Sequence, residues 1–305
     1  MQNHRICIHA NRPSALLRVT GEDAFAFLQG QFTNELRQMA DSMAYGLWLN
    51  QKGRVLADSY VLRLSEKEFV LVSPGSASAV IRQRLESYVV ADDVTVTDET
   101  EKASGLVLWG EGCAERLRVV MGTVPGHGKF LSQDQLFVFA GRRSSHGNFE
   151  VIGPTDRISD LSDRFKKSGW VETGSDELEA ARLESGIPAI PADIGPGDLP
   201  NEGELEHTAI SYTKGCYLGQ EVMARLKNLG QVRRHLRIVQ GLGPAPKPGT
   251  FLFQEARKVG EIRSAAPTAD GFIAMAMVTR LGLKEDAGLA FVTDGPVAAR
   301  MRPHG

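Results

Sequence analysis

Cysteine is scarce in this chain. Its 305 residues hold three, Cys7, Cys113 and Cys216, each more than 100 residues from the next. No pair has metal-ligand spacing and no disulfide framework is implied, which suits a reducing, cytosolic-type compartment. Long apolar runs are also missing. The longest covers residues 272–278, far short of the roughly 20 residues of a membrane span. The opening MQNHRICIHANRP lacks the apolar stretch of a secretory signal and passes at once into strand-like pattern. Neither a signal nor a transit peptide is therefore expected, and the expected location is a bacterial-type cytoplasm. Net charge is small, −2, so no global basic field recruits nucleic acid.

Ordinary globular composition is what remains. Hydrophobic residues make up 42% and charged residues 24%, wrong for a disordered chain. A chain this long buries about three-quarters of its unfolded surface and needs no covalent staple. Its length suits two or three domains. The small net charge conceals an asymmetry. Residues 230–305 carry 11 Lys and Arg against 6 Asp and Glu, a balance of +5, and the remainder carries 24 against 31, a balance of −7.

The basic portion has short apolar runs at 236–239, 250–253, 259–262, 272–278 and 289–292. Gly and Pro punctuate them closely, which predicts a small all-β barrel or sandwich. No aromatic-rich RNA motif accompanies the charge. Residues 1–229 read as mixed. Strands are expected at 15–19, 68–72 and 94–97, and a hairpin pairs 45–49 with 55–64 through a turn at 50–53. Helices are expected over GEDAFAFLQGQF, over 77–88 and over 175–185, the last with Ser175 as N-cap and Gly186 as stop. A weak internal echo joins LRVTGEDAFAFL at 17–28 to VLWGEGCAERL at 107–117: strand, Gly-Glu, Ala-bearing helix. Residues 172–206 are strongly acidic, and 214–237 strongly basic. They form either a charged rim or two solvated faces.

One segment concentrates chemistry: Thr213-Lys214-Gly215-Cys216-Tyr217-Leu218-Gly219-Gln220-Glu221. The glycines permit unusual backbone or close approach. Lys214 lies two residues from the thiol and can favour a thiolate. Gln220 and Glu221 lead into a helical VMARL. Against this, a lone Cys is most often a small buried hydrophobe, and no His marks itself as a base partner, His207 and His235 being equally unremarkable. Composition and spacing end at a mixed α/β chain with a candidate reactive thiol.

KGCYLGQE resembles the K-G-C-Y-x-G-Q-E signature of the YgfZ family of folate-binding proteins, related to the glycine cleavage T-protein and to mitochondrial iron–sulfur assembly factors. The segment from Gly21 to Asn34, GEDAFAFLQGQFTN, resembles the family's N-terminal motif. Gly53 to Asp58 resembles the superfamily's Gly-x-x-x-x-Asp hairpin. RLESGIP at 182–188 and LPNE at 199–202 resemble the stretches before the signature, and residues 230–236 and 259–264 the linker and a barrel strand. The resemblance implies an α+β fold: two intertwined N-terminal units around a central folate-binding opening, with a C-terminal antiparallel β-barrel. Expected boundaries are 1–229 (about 1–45 with 105–229, and 46–104) and 230–305.

It further implies tetrahydrofolate as cofactor, with Glu202 on the pterin, Arg225 on the glutamyl carboxylates, Asp58 near the reactive nitrogen, and Tyr217 and Gln220 nearby. Cys216 is the working thiol, with Lys214 and Asp58 as further catalytic candidates. Gly215, Gly219 and Glu221 complete the motif. No resident metal site is expected, and one Cys does not ligate a cluster alone, so an iron–sulfur carrier or client protein is the implied partner. A monomer is expected, with no nucleic-acid or membrane partner. The T-protein's Tyr after Arg-x-Glu-x-Gly is here about Ile190, which argues against glycine cleavage. The alternative is a folate-dependent aminomethyl or one-carbon transferase using Asp58.

Overall fold

The computed structural model describes residues 5–37 and 40–303. In chain order the first half supplies β1 (Cys7–Asn11), β2 (Ala15–Thr20), α1 (Ala24–Gln31), β3 (Ser42–Leu49), β4 (Val55–Arg63), β5 (Glu68–Ser73), α2 (Ser78–Glu86), β6 (Thr95–Asp98), β7 (Ala103–Trp109), α3 (Cys113–Met121), β8 (Phe130–Gln133), β9 (Leu136–Ala140) and β10 (Asn148–Pro154). Then come α4 (Thr155–Lys167), β11 (Val171–Glu172), α5 (Ser175–Glu184), α6 (Gln220–Leu229), β12 (Arg234–Gly241), β13 (Phe251–Gln254), β14 (Arg257–Thr268), β15 (Gly271–Thr279) and β16 (Ala299–Met301). These elements build three sheets, ordered β3-β4-β5-β2-β6, β11-β1-β7-β10-β9-β8 and β13-β14-β15-β12-β16. Among the described residues, no helix is long and apolar enough to cross a membrane.

Strand pairing groups the chain differently from the expected boundaries. Residues 15–49 pair with 55–98, β1 joins the sheet built from 103–172, and Ser42 bridges Lys129 between the two. The echo has a physical root. In each unit a strand runs into a helix through a glycine with positive φ, Gly21 at +138° and Gly110 at +119°. A Cβ there would strike backbone, 1.8 Å from Asp93 O at the first and 2.4 Å from Arg5 O at the second. Only glycine permits that approach.

The first sheet is buried on both faces, by alternation. Leu17, Val19, Ala57, Val61, Phe69 and Leu71 face α1 and α2, packed with Trp48 and Phe32. Leu16, Tyr60, Leu62, Val70 and Val72 face the second sheet's Phe137, Phe139 and Ile152, and the 190–210 segment. Asp58 shares that inner face, two residues before Tyr60, so the fold places a carboxyl between the two sheets.

The C-terminal sheet curls into a half-barrel. Four expected strands appear, as β12 to β15. The run at 289–292 is not a strand. It crosses between the sheet's two edges, with Ala290 bridging Phe253 and Leu289 bridging Ala299, so it cannot pair continuously with either. The expected Ser175 cap shifts by one residue: Gly174 precedes the helix, and its N–H donates to Glu177 Oε2 at 3.2 Å.

The acidic and basic stretches meet in a seam at Arg234, while Glu172, Asp176, Glu177, Glu184, Arg225 and Lys227 remain on solvated faces. Arg234 pairs with both Asp198 and Glu202. Arg182 on α5 donates to Asp193 at 2.7 Å and to Ser264 Oγ of β14 at 2.9 Å.

Candidate functional site

The signature loop is stitched to the loop after α1. Lys214 is buried, and its ammonium donates to Phe32 O at 2.6 Å and Asn34 O at 2.7 Å. Ser211 N donates to Thr33 O, Leu218 N to Gly30 O, and Thr33 Oγ1 to Ala209 O. The segments GQFTN and KGCYLGQE, 180 residues apart, are therefore one structural unit. Gly219, with φ +87°, caps α6 and lies against the third motif: a Cβ there would sit 3.0 Å from Asn50 O and 3.3 Å from Gly53 Cα.

This arrangement decides which way each side chain faces. Lys214 points inward and acts as a strut under the loop, its charge committed to carbonyls. Burial lowers its pKa to about 8, with Glu35 opposing. Tyr217 is buried beside it, 5.5 Å from ring centroid to ammonium, and its hydroxyl has no hydrogen-bond partner among the described residues. Cys216 is exposed. A Cβ at the adjoining Gly215 would come 3.3 Å from an Arg37 guanidinium nitrogen. Cys7 and Cys113 are buried, and burial raises both thiols, Cys113 to about 12. Gln220 opens α6. Arg225 is exposed and pairs with Glu221 one turn away at 3.2 Å.

A second, separate feature lies between the sheets. Tyr45, Asp58, Tyr60, Pro74, Gly75, Arg142, Arg143, Glu179, Arg182 and residues 187–190 enclose a cavity of about 110 Å³. Asp58 Oδ1 accepts from Ser76 Oγ at 2.7 Å and Ser73 Oγ at 3.0 Å, and Oδ2 accepts from Tyr45 Oη at 3.0 Å. Burial pushes its carboxyl pKa up, against the pull of those hydroxyls and of Arg142. A buried carboxyl with a raised pKa and donors fixed around it suits proton exchange or recognition of an amine or amide. Glu202 does not line this cavity. It is buried at the seam, where both its oxygens accept from Arg234 at 3.0 Å and one also accepts from Leu199 N.

Of the residues singled out from sequence, the structure thus groups Lys214, Gly215, Cys216, Tyr217 and Gly219 at one place, Asp58 at another and Glu202 at a third. The cavity's Tyr45, Ser73, Ser76, Arg142 and Arg143 were not anticipated. The only sequence signal for the arginines is an Arg-Arg pair in a Gly- and Ser-rich turn. Among the described residues, no group of three or more His, Cys, Asp or Glu is placed to hold a metal ion.

The fold, two α+β units with a half-barrel docked beside them, is similar to that of a glycine-cleavage T-protein. Bartonella henselae aminomethyltransferase T superposes with a TM-score of 0.83 at 20% identity, over 98% of this chain and 86% of that one. The family described as the GCVT N-terminal domain matches residues 14–214. The mouse protein named "Iron-sulfur cluster assembly factor IBA57, mitochondrial" is 30% identical over 251 residues, 77% of this chain and 66% of the mouse protein, so the match spans just under two thirds of that relative. The human counterpart is 30% identical over 272 residues, 82% of this chain and 72% of its own length. Escherichia coli "tRNA-modifying protein YgfZ" is 24% identical over 90% of this chain and 85% of its own. The chain belongs to the GCVT-domain family, in its YgfZ-like, T-protein-related branch.

Proposed function

We propose that the protein is a tetrahydrofolate-binding accessory factor of iron–sulfur cluster assembly or repair, working as a cytoplasmic monomer, with Cys216 as its working thiol. The observation that carries the reading is the exposed thiol in an intact KGCYLGQE loop braced from beneath by Lys214. The mouse and human relatives, named as iron–sulfur cluster assembly factors, supply the process. A single cysteine holds one cluster ligand at most, so a carrier or client protein supplies the others.

The Asp58 cavity is the place for the folate. Its donor set of carboxyl, tyrosine hydroxyls and guanidinium fits the amide- and amine-like groups of a pterin. Its 110 Å³ is below the roughly 300–1,000 Å³ of most ligand pockets, so entry of a bicyclic ring entails widening of the rim at 187–190. Bound tetrahydrofolate supplies a nucleophilic nitrogen that accepts one-carbon units. Asp58 orients that end by hydrogen bonding, and the surrounding burial excludes water.

Isothermal titration with tetrahydrofolate tests this part. The wild type is expected to bind, and Asp58→Ala to lose on the order of 1–3 kcal/mol of affinity through one missing buried partner. Equal affinities would remove Asp58 from the site.

The raised carboxyl of Asp58 favours one second reading, a folate-dependent aminomethyl or one-carbon transferase. Incubation with tetrahydrofolate and an aminomethyl donor would then form methylene-folate at a rate that Asp58→Asn abolishes. Absence of turnover in the wild type rejects it.

A further inference from the structure

Three arginines line the Asp58 cavity. Two are neutralised by carboxylates. Arg143 donates to Glu150 Oε1 at 2.9 Å, and Arg182 is held by Asp193 and Glu179. Arg142 differs. Its guanidinium carbon stacks 4.0 Å from the centroid of the Tyr45 ring. Its hydrogen bond is a single one of 3.3 Å, to the neutral Thr208 Oγ1. Among the described residues no carboxylate pairs with it. A planar guanidinium has five donors, and stacking on an aromatic face leaves its edge available. The ring that fixes it is the one whose hydroxyl holds Asp58.

The cavity therefore has two ends. At the deep end are Asp58 and Tyr60, 5% and 2% exposed. At the half-buried end is a positioned cation whose guanidinium edge is in contact with no carboxylate among the described residues. That polarity suits a ligand with a neutral polar head and an anionic tail.

We propose that Arg142 anchors the carboxylate tail of the cavity's ligand and so determines which ligands the cavity accepts. This rests on the tetrahydrofolate reading above. It displaces Arg225 from the tail-binding role, because Arg225 is exposed, paired with Glu221 and absent from the cavity wall.

The test compares tetrahydrofolate with 6-methyltetrahydropterin, which keeps the ring and lacks the tail. Binding of each is measured by isothermal titration to the wild type, Arg142→Gln and Arg142→Lys. Arg142→Gln is expected to weaken tetrahydrofolate by on the order of tenfold to a hundredfold, as for a charge-assisted hydrogen bond, and to leave the tail-less pterin within about twofold. Wild-type affinity for tetrahydrofolate should fall with added salt more steeply than that of the Gln variant. Arg142→Lys keeps the charge without the fork, gives an intermediate loss, and serves alone if the Gln variant does not fold. Equal losses for both ligands, or no loss for either, overturn the proposal and leave the folate reading standing. A wild type that binds neither ligand overturns both.

Discussion

Arg234 offers the sharpest test of how the two halves of the molecule are held. Its Nε and Nη2 grip both Glu202 oxygens at 3.0 Å, and Nη2 also reaches Asp198 at 2.9 Å. Arg234→Met would leave two carboxylates, with side chains 5% and 6% exposed, without that cation. Removing one partner of a fully buried pair costs about 3–5 kcal/mol. Here the Arg234 side chain is 40% exposed and Arg263 remains 3.5 Å from Asp198. Water and the second arginine therefore recover part of it, and about 2–3 kcal/mol is expected. For a chain of this size that lowers the melting temperature by about 5 °C. Glu202→Gln alone should cost less, and Arg234→Met should cost less in the Gln background, with a coupling of about 1–2 kcal/mol in a double-mutant cycle. The readout is thermal unfolding followed by circular dichroism. Because Glu202 is committed to Arg234, Glu202→Gln should reduce tetrahydrofolate affinity by less than about tenfold, against the larger loss of a direct buried contact. Strict additivity of the two substitutions would refute the seam. Near-complete loss of folate binding in Glu202→Gln would refute the separation of Glu202 from the ligand.

Other consequences are equally open to measurement. The raised Asp58 pKa means that the native state holds its proton to a higher pH than the unfolded chain does, so ionising it costs stability. That cost is absent below the ordinary value of 3.8 and complete once the pH passes the raised one. Asp58→Asn should therefore be at least as stable as wild type at pH 7, with its advantage vanishing toward pH 4; a variant clearly less stable at neutral pH would contradict this. Lys214 should titrate near pH 8 by NMR of its side-chain amine, so that between 8 and 10.5 the native state binds fewer protons than the unfolded chain and this group's contribution to stability rises with pH. A titration at 10.5 would place the ammonium in water. Gly219→Ala forces a side chain into a left-handed backbone 3.0 Å from Asn50 O and should cost about 1–3 kcal/mol. Wild-type stability in that variant would mean the signature loop does not rest on the hairpin.

Much of this was legible in the residues, and what was not has a common cause. The 45–64 hairpin, α5 and four barrel strands follow from local period and turn chemistry, and the signature marks Cys216 without help from the fold. Sequence gives no direction to a side chain, however. Lys214, adjacent to the thiol motif, reads as its activator until its ammonium is found on Phe32 and Asn34. Glu202 reads as a ligand carboxylate, and only the fold reveals that Arg234, 32 residues on, holds both its oxygens. The surroundings of Asp58 come from β3, β5, the β9–β10 turn and the segment after α5, so no window of the chain contains them. The 289–292 run has strand composition but spans two sheet edges, a fact of closure and not of propensity.

The reading of Cys216 meets its most direct test in cells that lack their own YgfZ-like protein. The wild-type chain, Cys216→Ala, and a control with both Cys7→Ala and Cys113→Ala would each be expressed to matched levels. The activity of an iron–sulfur dehydratase or radical enzyme would then be assayed. The account predicts rescue by the wild type and by the control, and none by Cys216→Ala although it folds and binds tetrahydrofolate as the wild type does. Full rescue by Cys216→Ala would contradict it.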